Sequence, residues 1–315
     1  MSYSIKSIRE EFKAKGVFYT DEKLARIIAS HIPEDANEVY DPTCGGGNLL
    51  AVFGEDVKKY GQELNAEQAF ECARRLKNAE IASGDVLHQP SFMSRKFRYI
   101  VANYPFSIKW DSSGLENDPR FRDAPCLPPP SRIDYAFILH ILYMLDEGGT
   151  ASVLNFPGIL YRGQREGKIR QWIVEMDVID RIEQFEGGYF EDTKVGTALI
   201  VFKKGRSKST VTFADHEKGL EREVSLDEIR QNGYTLNVST YVQPEEPDRF
   251  GAFDPVATER LARNYVLRQL KAQLEFSKRA IELHEMMGFP PLPPLSEFIR
   301  DIHNLTEQYL RKEHI

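Results

Sequence analysis

The chain has 315 residues, 41% hydrophobic and 28% charged, which suits one large or two modest globular bodies with real cores. Its 41 Lys and Arg against 48 Asp and Glu leave a net charge of −7, which argues against a protein that grips nucleic acid alone across a broad basic face. No apolar run is long enough to cross a bilayer, Met1 to Arg9 lacks a signal peptide's apolar segment, and Cys44, Cys72 and Cys126 have neither disulfide nor zinc-ligand spacing, so a metal-free cytoplasmic protein is expected.

The first expected element is an amphipathic helix over 21–32, with Thr20 as N-cap, acids in the first turn and Leu24, Ile27 and Ile28 on one face. Strand-like runs at Glu38–Asp41, Lys58–Glu63, Glu80–Ser83 and Arg98–Asn103 then alternate with helices near 48–55 and 66–78. Ser107–Arg132 has no periodicity and contains Gly114, Pro119, Pro125 and Pro128-Pro129-Pro130. A long irregular stretch inside a compact domain is usually functional or disordered, and its start just past Asn103 favours a lid-like, substrate-contacting role.

The alternation resumes with a helix at Asp134–Leu145 ending at Gly148-Gly149, a strand at Thr150–Asn155, a helix at Gly167–Met176, and strands at Val178–Phe185 and Gly196–Lys203. Such a pattern predicts an α/β fold with a doubly wound, mostly parallel sheet. A short β-like tail at Thr210–Phe213 leads into a loop, and Pro244 to Pro247 marks a boundary between a domain at 1–245 and a helical extension at 246–315. In the extension, Leu267, Leu270, Leu274 and Ile281 fall at heptad-like spacing, and Phe298, Ile302, Leu305 and Tyr309 share a face. This helical hairpin is expected to pack on the main domain or on another subunit.

Three successive strands end in acids. Asp41 closes the first, and Asp41-Pro42-Thr43-Cys44-Gly45-Gly46-Gly47-Asn48 turns away from it, its glycines permitting close approach of the backbone to a ligand. The turn departs from G-x-G-x-x-G. An acid ahead of it repels a phosphate but suits the ammonium of a methionine moiety, which favours S-adenosylmethionine over NAD. Glu63, in Gly61-Gln62-Glu63-Leu64-Asn65, is placed to accept from both ribose hydroxyls, and Asp85, in Ser83-Gly84-Asp85-Val86, from the adenine amino group.

Asn103-Tyr104-Pro105-Phe106 closes the fourth strand. The Asn103 amide oxygen and the Tyr104 carbonyl can each accept an N–H from a planar exocyclic amine, drawing its nitrogen toward a more nucleophilic geometry without a charged base. Phe106 offers a stacking face for a base removed from its duplex. With a sulfonium as methyl donor, positioning for in-line attack does most of the work.

These two motifs resemble the hallmark motifs of N6-adenine DNA methyltransferases, in the gamma-type order. More narrowly, the chain resembles the modification (M) subunit of type I restriction-modification systems. The likeness is carried by Gly16-Val17-Phe18-Tyr19-Thr20, the stretch from Asp134 to Ala151, Asn155 to Gly163, Ile169-Arg170, Phe190 to Phe202, and Gly233 to Asn237 with Tyr241-Val242. The resemblance implies a Rossmann-like S-adenosylmethionine-dependent methyltransferase fold and S-adenosyl-L-methionine as cofactor. It implies catalysis by Asn103, Tyr104, Pro105 and Phe106. Cofactor contacts are implied at Phe18, Tyr19, Thr20, Asp41, Thr43, Gly45, Gly47, Asn48, Glu63, Leu64, Asp85, Val86 and Asn103.

The implied partners are DNA, a specificity (S) subunit that reads sequence and is contacted through the C-terminal helices, and, further, a restriction (R) subunit. Two departures stand out. The family's usual Asn-Pro-Pro-Phe or -Tyr has Tyr104 at its second position, which removes one source of backbone rigidity. The helical domain that usually precedes the cofactor segment has only about fifteen residues in its place, so its contacts with DNA or partners are expected to come from elsewhere or to be absent. Methylation of an RNA base or a protein glutamine, and a non-catalytic cofactor- or DNA-binding scaffold, stand as alternatives.

Overall fold

The computed structural model describes residues 20–187 and 196–243, with isolated positions between 259 and 303. The chain divides into two compact units, Met1–Pro244 and Glu245–Ile315. Among the described residues of the first unit, nine strands form one sheet: β1 (Glu38–Asp41), β2 (Lys58–Glu63), β3 (Ala79–Ser83), β4 (Phe97–Ala102), β5 (Leu145–Asn155), β6 (Ile179–Phe185), β7 (Thr197–Lys203), β8 (Thr210–Asp215) and β9 (Leu220–Ser225). Their order is β3-β2-β1-β4-β5-β7-β6-β8-β9. The β3–β2–β1–β4–β5 block is parallel throughout, and β7 inserts antiparallel between β5 and β6. The order reverses between β1 and β4, so the crevice at this switch point is flanked by the strand that ends at Asp41 and the one that ends just before Asn103.

The expected α/β class and mostly parallel sheet are therefore found. Both sheet faces are covered, and alternate residues serve opposite sides: Ile100 and Ala102 of β4 join one apolar cluster, Val101 the other. The larger cluster is built around α3 (Asp134–Met144), a helix buried on nearly every face, with α4 (Gln164–Glu175) beside it. The smaller cluster takes Leu24, Ala25 and Ile28 from α1 (Glu22–Ala29), and Cys72 from α2 (Ala66–Arg75). Two short helices, α5 (Leu226–Gln231) and α6 (Val238–Tyr241), follow β9.

Several boundaries differ from the sequence reading. The helix expected near 48–55 contracts to a single 3-10 turn, Leu50–Val52, because Phe53 takes up extended geometry and Gly54 leads back toward β2. Asp21, not Thr20, caps α1, its Oδ1 accepting from the Leu24 amide at 2.7 Å. β5 starts at Leu145 and runs through Gly148-Gly149, where the preceding helix was expected to stop. The loop expected after Thr210–Phe213 holds instead a β8–β9 hairpin, whose outer strand is exposed at every residue but Val224 and so offers little apolar pattern. The Gly16–Tyr19 segment, Phe190, and most of the expected hairpin, including Leu274, Ile281, Phe298, Ile302, Leu305 and Tyr309, lie outside the described residues. The positions described within 259–303 are helical and exposed, Leu267 and Leu270 among them.

Candidate active site

The glycine turn is built from the ends of β1 and β2. Asp41 Oδ1 accepts from the Thr43 amide at 2.9 Å, and the Cys44 amide donates to the Gln62 carbonyl at 3.0 Å. Gly45 (φ +51°) and Gly47 (φ +84°) occupy the left-handed region, and a Cβ on Gly47 would lie 2.6 Å from Cys72 Sγ. Glu63 bridges the turn and its own strand end, accepting from the Gly45 amide through Oε2 and the Asn65 amide through Oε1, each at 2.9 Å. Leu64 beside it is 72% exposed, free of the core and available to a ligand.

Asp41 is 2% exposed, and its carboxyl is pushed up to about 7, first by burial and further by the Glu63 charge, against the Thr43 amide, which lowers it. Among the described residues neither acid has an ion-pair partner within 4.0 Å. Among the described residues the turn thus carries acids with no ion-pair partner, and the Thr43 hydroxyl is buried beside Asp41. A ligand bearing a positive group and polar hydrogens fits this donor set; a phosphate does not.

Thr20 joins the two motifs. Its carbonyl accepts from Asn48 Nδ2 at 3.3 Å, and its hydroxyl accepts from Asn103 Nδ2 at 3.1 Å. Asn48 Oδ1 in turn accepts from Arg75 Nη1 at 2.8 Å, so both ends of that amide are engaged, and an open groove of about 450 Å³ lies alongside, lined by Thr20, Asn48 and Arg75 among others. With its nitrogen tied to Thr20, Asn103 aims Oδ1 elsewhere, and that oxygen is buried with no hydrogen-bond partner among the described residues. An unfilled buried acceptor costs free energy unless a ligand fills it.

Tyr104 is fully buried. Its ring stacks on Phe137 at 4.7 Å, its hydroxyl donates to Asn155 Oδ1, and burial raises the phenol well above its usual range. Phe106 meets the Tyr104 ring edge-on at 5.6 Å. Beyond Pro105, Ser107 sits at φ +54° and is held there by Asp134, the first residue of α3, whose Oδ2 accepts from the Ser107 amide at 3.0 Å. Arg162 Nη2 donates to the Ser107 hydroxyl at 3.2 Å. Rigidity that a second proline would give is thus supplied by packing and by groups on α3, β5 and the turn before α4.

Asp85 follows β3. Its Oδ1 accepts from the Leu87 amide at 2.9 Å, and its Oδ2 lies 2.8 Å from His88 Nδ1; Val86 is buried. The 107–132 segment is folded onto the sheet's edge of the larger cluster through Trp110, Leu115 and Phe121. Trp110 is tied to Pro130 by its amide and to Pro129 by its indole N–H. Sequence reading missed Arg120, Asp134, Asn155 and Arg162 as supports of the site. Asp134 at a helix start was the one readable signal, since an acid there both favours the helix and faces the preceding loop. Of the expected contacts, Phe18 and Tyr19 lie outside the described residues.

A family model described as N-6 DNA Methylase matches residues 3–223. The chain is 30% identical to the type I restriction enzyme MpnII methylase subunit of Mycoplasma pneumoniae, over 74% of this chain and 54% of that protein. It is 26% identical to the MjaIX methylase subunit of Methanocaldococcus jannaschii, over 74% and 52% respectively. The chain therefore spans about half the length of the curated relatives it matches. Among solved structures, the type I restriction-modification methyltransferase subunit from Streptococcus thermophilus superposes with a TM-score of 0.64 at 27% identity, covering 72% of this chain and 59% of that one.

Proposed function

This chain belongs to the N-6 DNA methylase family, and from that premise we propose that it transfers a methyl group from S-adenosylmethionine to the N6 amine of an adenine swung out of duplex DNA. The observation that carries the reading is the buried Asn103 Oδ1, unpartnered among the described residues, with its amide orientation fixed by Thr20. That oxygen accepts one amine N–H and the Tyr104 carbonyl the other, so the nitrogen lone pair points away from both acceptors. Phe106 stacks on the extruded base. S-adenosylmethionine supplies an electrophilic methyl on a sulfonium; as the N6–methyl bond forms, the sulfur–methyl bond breaks, and the amine's surplus proton leaves to solvent.

On the cofactor side, Asp41 and Thr43 suit the methionine end, Glu63 and Leu64 the ribose and one adenine face, and Asp85 with Val86 the adenine edge; Gly45, Gly47 and Asn48 keep the turn close and fixed. The net charge of −7 supports leaving sequence recognition to a separate specificity subunit, with a restriction subunit as a further partner in a cytoplasmic assembly. Exposed Val266, Leu267 and Leu270 on helical stretches of the C-terminal unit support a subunit contact there. No helix among the described residues is long and apolar enough to cross a membrane.

The test supplies the full chain and its specificity partner with methyl-labelled S-adenosylmethionine and duplex DNA. N6-methyladenine should form. Label appearing only in RNA or in protein glutamine would sink the DNA reading, and tight cofactor binding without any transfer would point to a scaffold.

A further inference from the structure

We infer that Arg120 is a positioning residue that sets the adenine half of the cofactor site from inside the segment leaving the catalytic motif. The inference deepens the proposed function and rests on it. The Arg120 side chain has no exposed area. A guanidinium has five N–H donors in a rigid fork, and here each one meets an acceptor. Nε donates to Asp118 Oδ1 at 2.8 Å, and Nη2 to Asp118 Oδ2 at 2.7 Å and to the Leu87 carbonyl. Nη1 donates to the Val86 carbonyl at 2.9 Å and to His140 Nδ1 at 3.1 Å.

Two of these acceptors belong to the turn after β3, and one of them fixes a particular plane. The Val86 carbonyl and the Leu87 amide are the two ends of one peptide unit. Arg120 holds the carbonyl end, while the amide end donates to Asp85 Oδ1 at 2.9 Å. Rotation of that peptide would swing the Asp85 carboxylate with it, so Arg120, acting with His88, whose Nδ1 lies 2.8 Å from Asp85 Oδ2, sets the aim of the acid expected to take the adenine amino group. A lysine has the charge but not the span.

The cluster is also electrically closed. Asp118 balances Arg120, its carboxyl held low because hydrogen bonds and charge from Arg120 outweigh burial. His140 stays neutral: burial and then the Arg120 charge push it down to about 3. Since Nδ1 accepts from Arg120, the imidazole proton sits on Nε2, 3.3 Å from the hydroxyl of Tyr40, the residue before Asp41. One buried guanidinium therefore reaches the turn carrying Asp85 directly and the strand carrying Asp41 through one histidine.

A simpler role would be to staple the 107–132 segment to the core. The two roles separate in ligand discrimination. Calorimetry on the full chain compares S-adenosylhomocysteine with its purine-riboside analogue, in which the adenine amino group is replaced by hydrogen and no donor to Asp85 remains. Wild type should prefer the adenosyl ligand by about 30- to 100-fold, as expected when a site's charged acceptor loses its donor. Arg120→Met should reduce the preference to about threefold or less, and Arg120→Lys to about tenfold. Circular dichroism checks the fold, and if Arg120→Met does not fold, Arg120→Lys carries the readout. Variants that bind both ligands more weakly but keep the wild-type preference would overturn the inference, leaving a staple. A wild type that binds neither ligand would instead sink the cofactor reading beneath it.

Discussion

On the β1–β2 side of the crevice, Asp41 and Glu63 both grip the glycine turn, through the Thr43 and Gly45 amides, and neither has an ion-pair partner among the described residues. On the β4–β5 side, Asn103, Tyr104 and Asn155 carry no charge, and one neutral amide oxygen is left open. In the proposed reaction, a cationic ligand relieves the electrostatic cost on the first side and an amine meets the open hydrogen bond on the second. On that proposal, charge selects the donor of the methyl group and neutral geometry selects its acceptor. Thr20 touches both, donating nothing to either but accepting from Asn48 and from Asn103.

The sharpest way to break this division is Asn103→Ala. It removes the open acceptor and should lower kcat by at least about a thousandfold, the scale seen when a preorganised polar group at the reacting centre is deleted. Cofactor affinity, measured by calorimetry with S-adenosylhomocysteine, should stay within about fivefold, since one neutral hydrogen bond is worth about 1 kcal/mol. A variant that kept full activity would remove Asn103 from the chemistry.

Asp41→Asn tests the other side and should weaken S-adenosylmethionine binding about 10- to 100-fold at pH 8, the worth of a buried charge contact. The wild-type carboxyl titrates at about 7 in the unliganded fold. Below that it is protonated and neutral, so wild-type affinity should rise as pH increases through 7 while the Asn variant stays flat. Stability runs the opposite way. The folded value lies above the ordinary 3.8, so the group's contribution is full below about 4 and is lost as pH rises toward 7. Without ligand, Asp41→Asn should therefore melt higher than wild type at pH 8 and not at pH 4. Equal pH slopes in the two proteins would mean that Asp41 carries no charge in the site.

The sequence was readable where one peptide segment carries its own message. The glycine turn, the three strand-end acids and Asn103–Phe106 each declare themselves within a few residues, and the strand alternation around them fixes the sheet. What escaped was chemistry made by residues far apart in the chain. Arg120 reaches carbonyls at positions 86 and 87, Asp134 reaches Ser107, and Asn155 receives the Tyr104 hydroxyl, and no periodicity links such pairs. Thr20 shows the same limit in miniature. Its type and place suit a helix cap, but with Asp21 filling that role, its hydroxyl serves Asn103 instead.

Tyr104 gives the smallest effect and the most specific test of how the neutral side is held. Tyr104→Phe keeps the ring stacked on Phe137 but leaves Asn155 Oδ1 buried without its donor, which should cost about 1–3 kcal/mol in unfolding free energy. The backbone carbonyl proposed to meet the amine is unchanged in kind and only loosened in place, so kcat should fall by about three- to tenfold, with cofactor affinity untouched. Restoring a proline at this position should not repair the loss, because the ring and the hydroxyl would both be gone and the space against Phe137 left empty. If Tyr104→Pro instead proved as stable and as active as wild type, the buried ring would be filler. Rigidity would then come from Pro105, and from Asp134 holding Ser107, alone.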